Sequence, residues 1–254
     1  KNFKFKNLMF KRVIPVLLIS EKKLIKTYKF GKRFYVGDPL NAVRIFNEKF
    51  VDEICIIDID ATKYRKIDFK LIDQISSECF IPMSYGGGIS NIDEVEKIIN
   101  SGVEKIIINS NIYDFELIKS ISNKIGSQSL VISIDIKQNL FGSYRQFLRN
   151  RTIKFEILIE YLKKIEDYCG EFFINSIDKD GTKAGYDLNL YRIIKEKTKK
   201  PTIFCGGAAS IDNIEQLFDE GANAAAVGKL FCFQDNFDSV LITYNKPIKY
   251  DWNL

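Results

Sequence analysis

The sequence predicts an α/β fold, a closed (β/α)8 barrel built from two half-barrel repeats, as one domain over residues 1–254. Short, unbroken apolar runs, typical of strands buried on both faces of a parallel sheet, alternate with amphipathic stretches along the whole chain. The second half also repeats the first. Pro82 and Pro201, Gly87 and Gly206, Gly88 and Gly207, Ile92 and Ile211, Asp93 and Asp212, Glu96 and Glu215, and Gly102 and Gly221 are pairs with one constant spacing. Two equal halves joined edge to edge leave no free strand edge, which argues for closure over an open doubly wound sheet.

Arg12–Ile19 reads as the first strand. The basic and aromatic segment Ser20–Val36 that follows is either a functional lid or a solvated surface hairpin. Asp38 and Pro39 open a helix, as cap and first-turn proline. Glu53–Ile59 is the second strand, Ile67–Ser77 a helix, and Phe80–Tyr85 the third strand, ending in Gly86-Gly87-Gly88. Ile92–Asn100 is helical with Gly102 as its stop, Lys105–Asn109 is the fourth strand and Glu116–Ile125 the next helix.

The second half keeps the same order. Leu130–Ile136 is the fifth strand, a longer loop covers Lys137–Arg151, and Phe155–Tyr168 is a long helix. Glu171–Ile177, Thr202–Cys205 and Ala224–Val227 are the last three strands; Leu188–Lys197 and Ile214–Glu220 are helices between them. A final helix is expected near Asn236–Thr243.

Composition limits the chemistry. There is no histidine, so Ser-His-Asp and Cys-His nucleophiles are excluded and proton transfer falls to Asp, Glu, Lys, Tyr or Cys. The five cysteines are scattered without metal-ligand spacing and read as reduced core thiols; no metal or cofactor is expected. No apolar run reaches membrane-span length, Lys1–Lys11 lacks the apolar core of a signal peptide, and a cytoplasmic protein is expected. A net charge of +5 suits solubility and steering of anionic substrates, with no call for nucleic acid.

Active sites of such barrels lie at the C-terminal strand ends. Four candidate anion sites stand there: Gly86-Gly87-Gly88, Asn109-Ser110, Gly206-Gly207 and Gly228-Lys229. Glycine lets backbone N–H groups approach a phosphate, and the following helix N-terminus favours its charge. The third and fourth strands face the seventh and eighth across the barrel, which predicts two phosphate sites on opposite rims. Asp58, Asp60, Asp178 and Asp180 also follow strands, where an aspartate is often only a cap or turn former. Asp135 differs, because it interrupts an apolar run, Ile134-Asp135-Ile136, and is the best candidate general acid or base. Overlaying the halves sets Leu18 against it. At the strand starts stand Arg12, Glu53, Lys105 and Glu171, which taken alone would face solvent.

Together these residues resemble the HisF family, the cyclase subunit of imidazole glycerol phosphate synthase. The match rests on Lys11–Ile14, Gly37-Asp38-Pro39, Asp52-Glu53, Gly86–Ile89, Ile108-Asn109-Ser110, Gly126-Ser127-Gln128, Ile134-Asp135, Ser176–Asp187 and Gly206-Gly207-Ala208. The resemblance implies a bisphosphorylated substrate and ammonia supplied by a HisH-like glutaminase docked at the N-terminal face. It implies one phosphate site at Gly88, Asn109 and Ser110, and another around Asp180, Gly181, Thr182, Gly207 and Gly228. It matches Lys26 to a lysine of the mobile first loop, and Arg12, Glu53, Lys105 and Glu171 to the charge ring of the ammonia entrance.

The sequence departs from the family where two opposed aspartates are expected, because Leu18 replaces one of them. Asn175 and Cys205 stand where the family has small hydroxyl residues. Three functions follow: a divergent synthase that adds channelled ammonia to a phosphorylated acceptor, as in sugar amidation to acetamidino groups; a histidine-pathway cyclase in which Asp58 or Asp60 compensates for Leu18; or an inactive barrel that activates a glutaminase.

Overall fold

The computed structural model describes residues 10–234, 239–247 and 249. In chain order the strands are β1 (Arg12–Ser20), β2 (Lys23–Tyr28), β3 (Lys32–Gly37), β4 (Ile54–Asp58), β5 (Met83–Gly86), β6 (Lys105–Ile108), β7 (Leu130–Gln138), β8 (Tyr144–Leu148), β9 (Arg151–Lys154), β10 (Glu171–Ser176), β11 (Thr202–Cys205), β12 (Ala224–Val227), β13 (Phe233–Gln234) and β14 (Ser239–Val240). The helices are α1 (Pro39–Glu48), α2 (Ile59–Tyr64), α3 (Phe69–Ser77), α4 (Ile92–Asn100), α5 (Phe115–Ile125), α6 (Phe155–Ile165), α7 (Leu188–Lys195) and α8 (Ile211–Asp219).

Eight parallel strands close the barrel in the order β1, β4, β5, β6, β7, β10, β11, β12, and β12 pairs back onto β1 at Arg12–Pro15. The (β/α)8 expectation holds. Alternation along each strand sorts the side chains into two cores. Val13, Leu17 and Ile19 of β1 join Phe172, Ile174 and Phe204 beneath the helices. Ile14 and Val16 of β1 face inward with Cys55, Ile107, Val131 and Phe173, and fill the bore. Fully burying one such side chain contributes roughly 1.5–3 kcal/mol.

Side-chain caps set the helix starts. Asp38 accepts from the Asn41 amide with Pro39 in the first turn, and Asn91 and Glu94 form a reciprocal capping box on α4. Asp58 accepts from the Asp60 and Ala61 amides at 3.0 and 2.9 Å, so it is the cap of α2. This short helix is absent from the sequence reading, since six residues give too little periodicity.

The half-barrel repeat extends further than the glycine turns. After its first strand each half carries an antiparallel arm: β2 and β3 continue from β1, and β8 and β9 continue from β7. Ser20–Val36 is therefore a hairpin, whose tip also reaches the site described below. Lys137–Arg151 is largely strand where a loop was expected, with a two-residue turn at Arg149 and Asn150, both at positive φ.

The expected last helix is corrected in its described part. Asn236–Asp238 lie outside the described residues, but Ser239–Val240 pair with Phe233–Gln234 as a short ladder and Leu241–Thr243 are irregular. The chain instead runs along the barrel wall. Tyr244 packs on Phe231, and Lys246 Nζ reaches Asp52 at 2.8 Å, the carboxylate that also caps the Val13 amide at 2.7 Å.

Candidate functional site

A cavity of about 710 Å³ opens at the C-terminal ends of the barrel strands. From the first half Gly87, Gly88, Asn109 and Ser110 line it; from the second, Asp180, Gly181, Gly206, Gly207, Gly228 and Lys229. Asp135 lies between them at the top of the bore. Thr182 is not part of this lining: its hydroxyl donates to the Lys179 carbonyl at 2.8 Å and so closes the turn after Asp180.

The two glycine turns are equivalent in detail. Gly87 and Gly206 have φ of 143° and 105°, and each sits against the carbonyl that ends the preceding barrel strand, Asp58 and Ser176 respectively. A Cβ added at Gly206 would lie 2.6 Å from the Ser176 oxygen. These glycines thus serve close chain packing as well as an open, amide-lined rim. The Gly88 amide donates to the Thr62 hydroxyl at 3.1 Å.

Several expected ligand-binding side chains make internal bonds. Lys26 is buried on β2, beside Gly228, and its ammonium donates to the Val16 carbonyl. Asp180 accepts from the Thr27 hydroxyl at 2.7 Å and the Phe30 amide at 3.2 Å, while its carbonyl accepts from the Lys29 amide at 3.0 Å. Asp180 therefore fastens the first arm down over the cavity. Phe30 and Gly31 from that arm, and Phe147 and Asn150 from the second, complete the mouth. Sequence reasoning missed the second arm's contribution; the repeat itself was the available signal, because it places an arm after β7 wherever one follows β1.

Asp135 lines the cavity from near the end of β7. Asn109 Nδ2 donates to its Oδ2 at 3.0 Å and also bonds the Ser133 carbonyl at 3.2 Å. Burial pushes the Asp135 carboxyl up to about 7, against the opposing hydrogen bonds of Asn109 and Asn175, with nearby Asp180 adding to the rise. A carboxyl titrating there can both take and return a proton at neutral pH. The structure keeps Leu18 at the matching place on β1, beside Ile57, and both line the same cavity. Asp58 and Asp60 do not reach it: Asp58 caps α2, and Asp60 accepts from the Ser20 hydroxyl at 3.0 Å and the Glu21 amide at 2.7 Å. Burial holds the Cys205 thiol well above its ordinary range, so it is a poor nucleophile.

At the opposite end of the bore the four strand-start charges close into a ring. Arg12 bonds Glu53 at 2.7 Å and also Glu171; Lys105 bonds Glu53 at 2.8 Å and Glu171 at 3.1 Å. Burial alone would raise the Glu171 carboxyl, but Arg12 and Lys105 outweigh it and hold it low. Likewise burial would lower Arg12, yet Glu171 and Glu53 raise it. The ring is thus charged and interlocked across the floor of the barrel.

A closed parallel eight-stranded barrel with a buried carboxyl and a glycine-rich rim at the C-terminal face belongs to the class of (β/α)8 barrels, whose active sites lie at that face. The particular family follows from comparison. Residues 12–238 match the family model described as histidine biosynthesis protein, and the chain belongs to that family as a HisF-like synthase subunit. It is 43% identical over 246 residues to a Pseudomonas aeruginosa protein provisionally named imidazole glycerol phosphate synthase subunit hisF2, covering 95% of this chain and 98% of that one. It is 43% identical over 242 residues to a Vibrio vulnificus protein provisionally named subunit hisF3, with 93% of each covered. The Alkaliphilus metalliredigens imidazole glycerol phosphate synthase subunit HisF is 33% identical over 230 residues, 89% of this chain and 91% of that subunit. No helix among the described residues is long and apolar enough to cross a membrane.

Proposed function

We propose that this barrel takes ammonia from a HisH-like glutaminase subunit at its N-terminal face and adds it to a phosphorylated acceptor held at the C-terminal face, in a reaction diverged from imidazole ring closure toward amidation of a sugar. The observation that carries the reading is the pairing of an interlocked Arg12-Glu53-Lys105-Glu171 ring with the Asp135 carboxylate on β7, matched by Leu18 on β1. Leucine exchanges no proton. Loss of one of two acid–base groups costs roughly 10²–10⁴-fold in a reaction that needs both, and Asp58 and Asp60, already bonded and outside the cavity lining, offer no replacement. Greater identity to the numbered hisF2 and hisF3 relatives than to the Alkaliphilus HisF also favours divergence.

In this reading, Arg12, Glu53, Lys105 and Glu171 form the ammonia gate, and the apolar bore above them passes neutral ammonia in preference to hydrated ions. The glycine turns, Asn109-Ser110 and Gly228-Lys229 form the two rims of a phosphate clamp, with Lys26 and Lys229 adding positive charge. Ammonia attacks the acceptor's carbonyl carbon as the C=O π bond opens onto oxygen, and Asp135 relays the protons that the nitrogen sheds to that oxygen, which leaves as water. Three exposed aromatic side chains, Phe10, Phe50 and Phe80, at 72%, 80% and 84%, precede the neighbouring strands β1, β4 and β5 at the N-terminal face. Exposed aromatics of this kind suit a protein interface, and they support docking of the glutaminase there.

The test supplies the purified barrel with an ammonium salt and the bisphosphorylated ribonucleotide substrate of the ring-closing reaction. Little turnover is expected from the parent, with cyclase activity rising in Leu18→Asp. Near-normal parental turnover would sink the divergent reading in favour of a histidine-pathway cyclase.

A further inference from the structure

Asn175 carries an unexplained polar atom. Its position on β10 faces Asp135 on β7 in direct register, and its side chain offsets part of the rise in that carboxyl's pKa. Asn175 Oδ1 is buried with no hydrogen-bond partner among the described residues. Leaving such an acceptor unpaired costs on the order of 1–3 kcal/mol, and unpaired buried groups in native proteins call for a functional reason.

The location narrows what the oxygen is for. Glu171, Phe173 and Asn175 alternate inward along one strand, so Asn175 stands about 13 Å above the charge ring, with only Phe173 between them on β10. The corresponding residues on the other half, Leu18 and Ile57, present no acceptor. A small N–H donor rising through the bore therefore meets Asp135 and Asn175, with Ser133 below them on β7, on one side, and the aliphatic Leu18 and Ile57 on the other.

We propose that Asn175 and Asp135 form an ammonia-holding station at the top of the bore, with Asn175 Oδ1 accepting one N–H and the Asp135 carboxyl facing the same nitrogen. A small rotation of the Asn175 amide presents Oδ1 to the bore. The station rests on the ammonia-transfer reading above and adds to it a residue that orients the nucleophile. Asn175 is a positioning residue here, and Asp135 remains the proton-exchanging group.

The experiment follows the side-chain amide signal of Asn109, which touches Asp135, in nitrogen-15 spectra of the full-length chain. Ammonium chloride is titrated at pH 7.5 and 8.5 against equal potassium chloride. A saturable shift is expected with ammonium alone, its midpoint moving roughly tenfold lower in total ammonium at the higher pH, as the neutral amine fraction rises. Asn175→Val should lose the shift or weaken it at least tenfold, and Asn175→Thr, which restores an acceptor oxygen on a strand-compatible side chain, should retain it. If Asn175→Val does not fold, Asn175→Ala carries the same expectation. No ammonium-specific shift, or an equal shift in the valine variant, would overturn the station. So would a shift with N-methylacetamide but none with ammonium, since the oxygen would then serve an N–H of the acceptor. Stimulation of a glutaminase by the chain is measured separately. A chain that stimulates glutaminase without the shift loses the station and keeps the ammonia-transfer reading, whereas one that shows the shift without stimulation keeps the site and loses that reading.

Discussion

Asp135 and Asn175 lie side by side in register on β7 and β10, and the half-barrel repeat sets Leu18 and Ile57, equally in register on β1 and β4, against them. One half of the bore is polar and titratable and the other is aliphatic. The asymmetry sets a titratable carboxyl on one wall, at Asp135, and a leucine at the matching place on the other, in a structure whose backbone is otherwise duplicated.

The first consequence is a pH dependence of stability. The folded-state Asp135 carboxyl titrates near 7, above its unfolded value of about 4. Between these values the folded chain binds more protons than the unfolded one, so stability falls as pH rises from about 4 to 7 and the full penalty persists above that. Asp135→Asn should therefore gain on the parent by on the order of 2 kcal/mol at pH 8, less than the full shift implies because the carboxyl opens onto the cavity. The gain should shrink toward pH 4. Urea midpoints of both proteins across this range check it, and a constant difference would contradict the assignment. The same variant should lose product formation.

Introducing the missing acid has the opposite cost. In Leu18→Asp the new carboxylate stands beside Ile57 and Val16 and shares the bore with Asp135. Desolvation and like charge both penalise it, so a loss of about 1–3 kcal/mol is expected at pH 8, falling at pH 5 where the pair shares protons. Thermal melts at the two values read this directly. A variant as stable as its parent at both would mean that the two positions do not share one environment.

Much of this site was legible in the sequence because chemistry forced unusual residues into regular places. Asp135 interrupts an apolar strand, and the glycines repeat at one spacing because Gly87 and Gly206 each pack on the carbonyl ending a neighbouring strand, where no Cβ fits. The second arm was not legible. Its turn uses Arg149 and Asn150 in place of glycine, so no strong hairpin signal marks it. The expected final helix failed for a different reason: Phe237, Val240 and Leu241 have helical spacing, but pairing of Ser239–Val240 with Phe233–Gln234 and the reach of Lys246 to Asp52 override it. The internal bonds of Lys26 and Asp180 depend on folding of the first arm, which local sequence does not encode.

The charge ring predicts a stability loss out of proportion to its number of ion pairs. Glu53 has 2% side-chain exposure, is ion-paired with Arg12 and Lys105, and its Oε1 has no hydrogen-bond partner among the described residues. Arg12→Met removes one of two cations shared by Glu53 and Glu171 and should cost about 2–4 kcal/mol, near the range for breaking a buried pair. A double-mutant cycle with Glu53→Gln should recover part of that cost, since the neutral partner no longer needs compensation. Strict additivity of the two changes would show that the ring is not coupled.

Asp180 should govern how firmly the first arm is held. Thr27, Lys29 and Phe30 all bond to it, two through its side chain and one through its carbonyl. Asp180→Ala removes only the side-chain acceptor, for about 1–2 kcal/mol, and the loss should fall on the arm. Hydrogen exchange across residues 23–37 should accelerate roughly fivefold or more while the amides of β7 and β10 keep their protection. Uniform acceleration throughout the barrel would instead make Asp180 a global structural residue.

The duplicated glycines permit an internally controlled test of why they are glycine. Gly142, in the turn between β7 and β8, has φ of 76° with open space where a Cβ would lie. Gly142→Ala should therefore cost only the conformational penalty, about 1 kcal/mol. Gly206→Ala meets both a φ of 105° and the Ser176 oxygen 2.6 Å away, backbone that has no side chain to move. Its cost should exceed that of Gly142→Ala by at least about 1 kcal/mol, and Gly87→Ala, against the Asp58 carbonyl, should match it. Urea midpoints rank the three. Equal costs at all three positions would mean that the rim glycines are there for their φ alone. A much larger penalty at Gly206 and Gly87 would tie them to the approach of one strand end on the next, which holds both rims open toward the cavity.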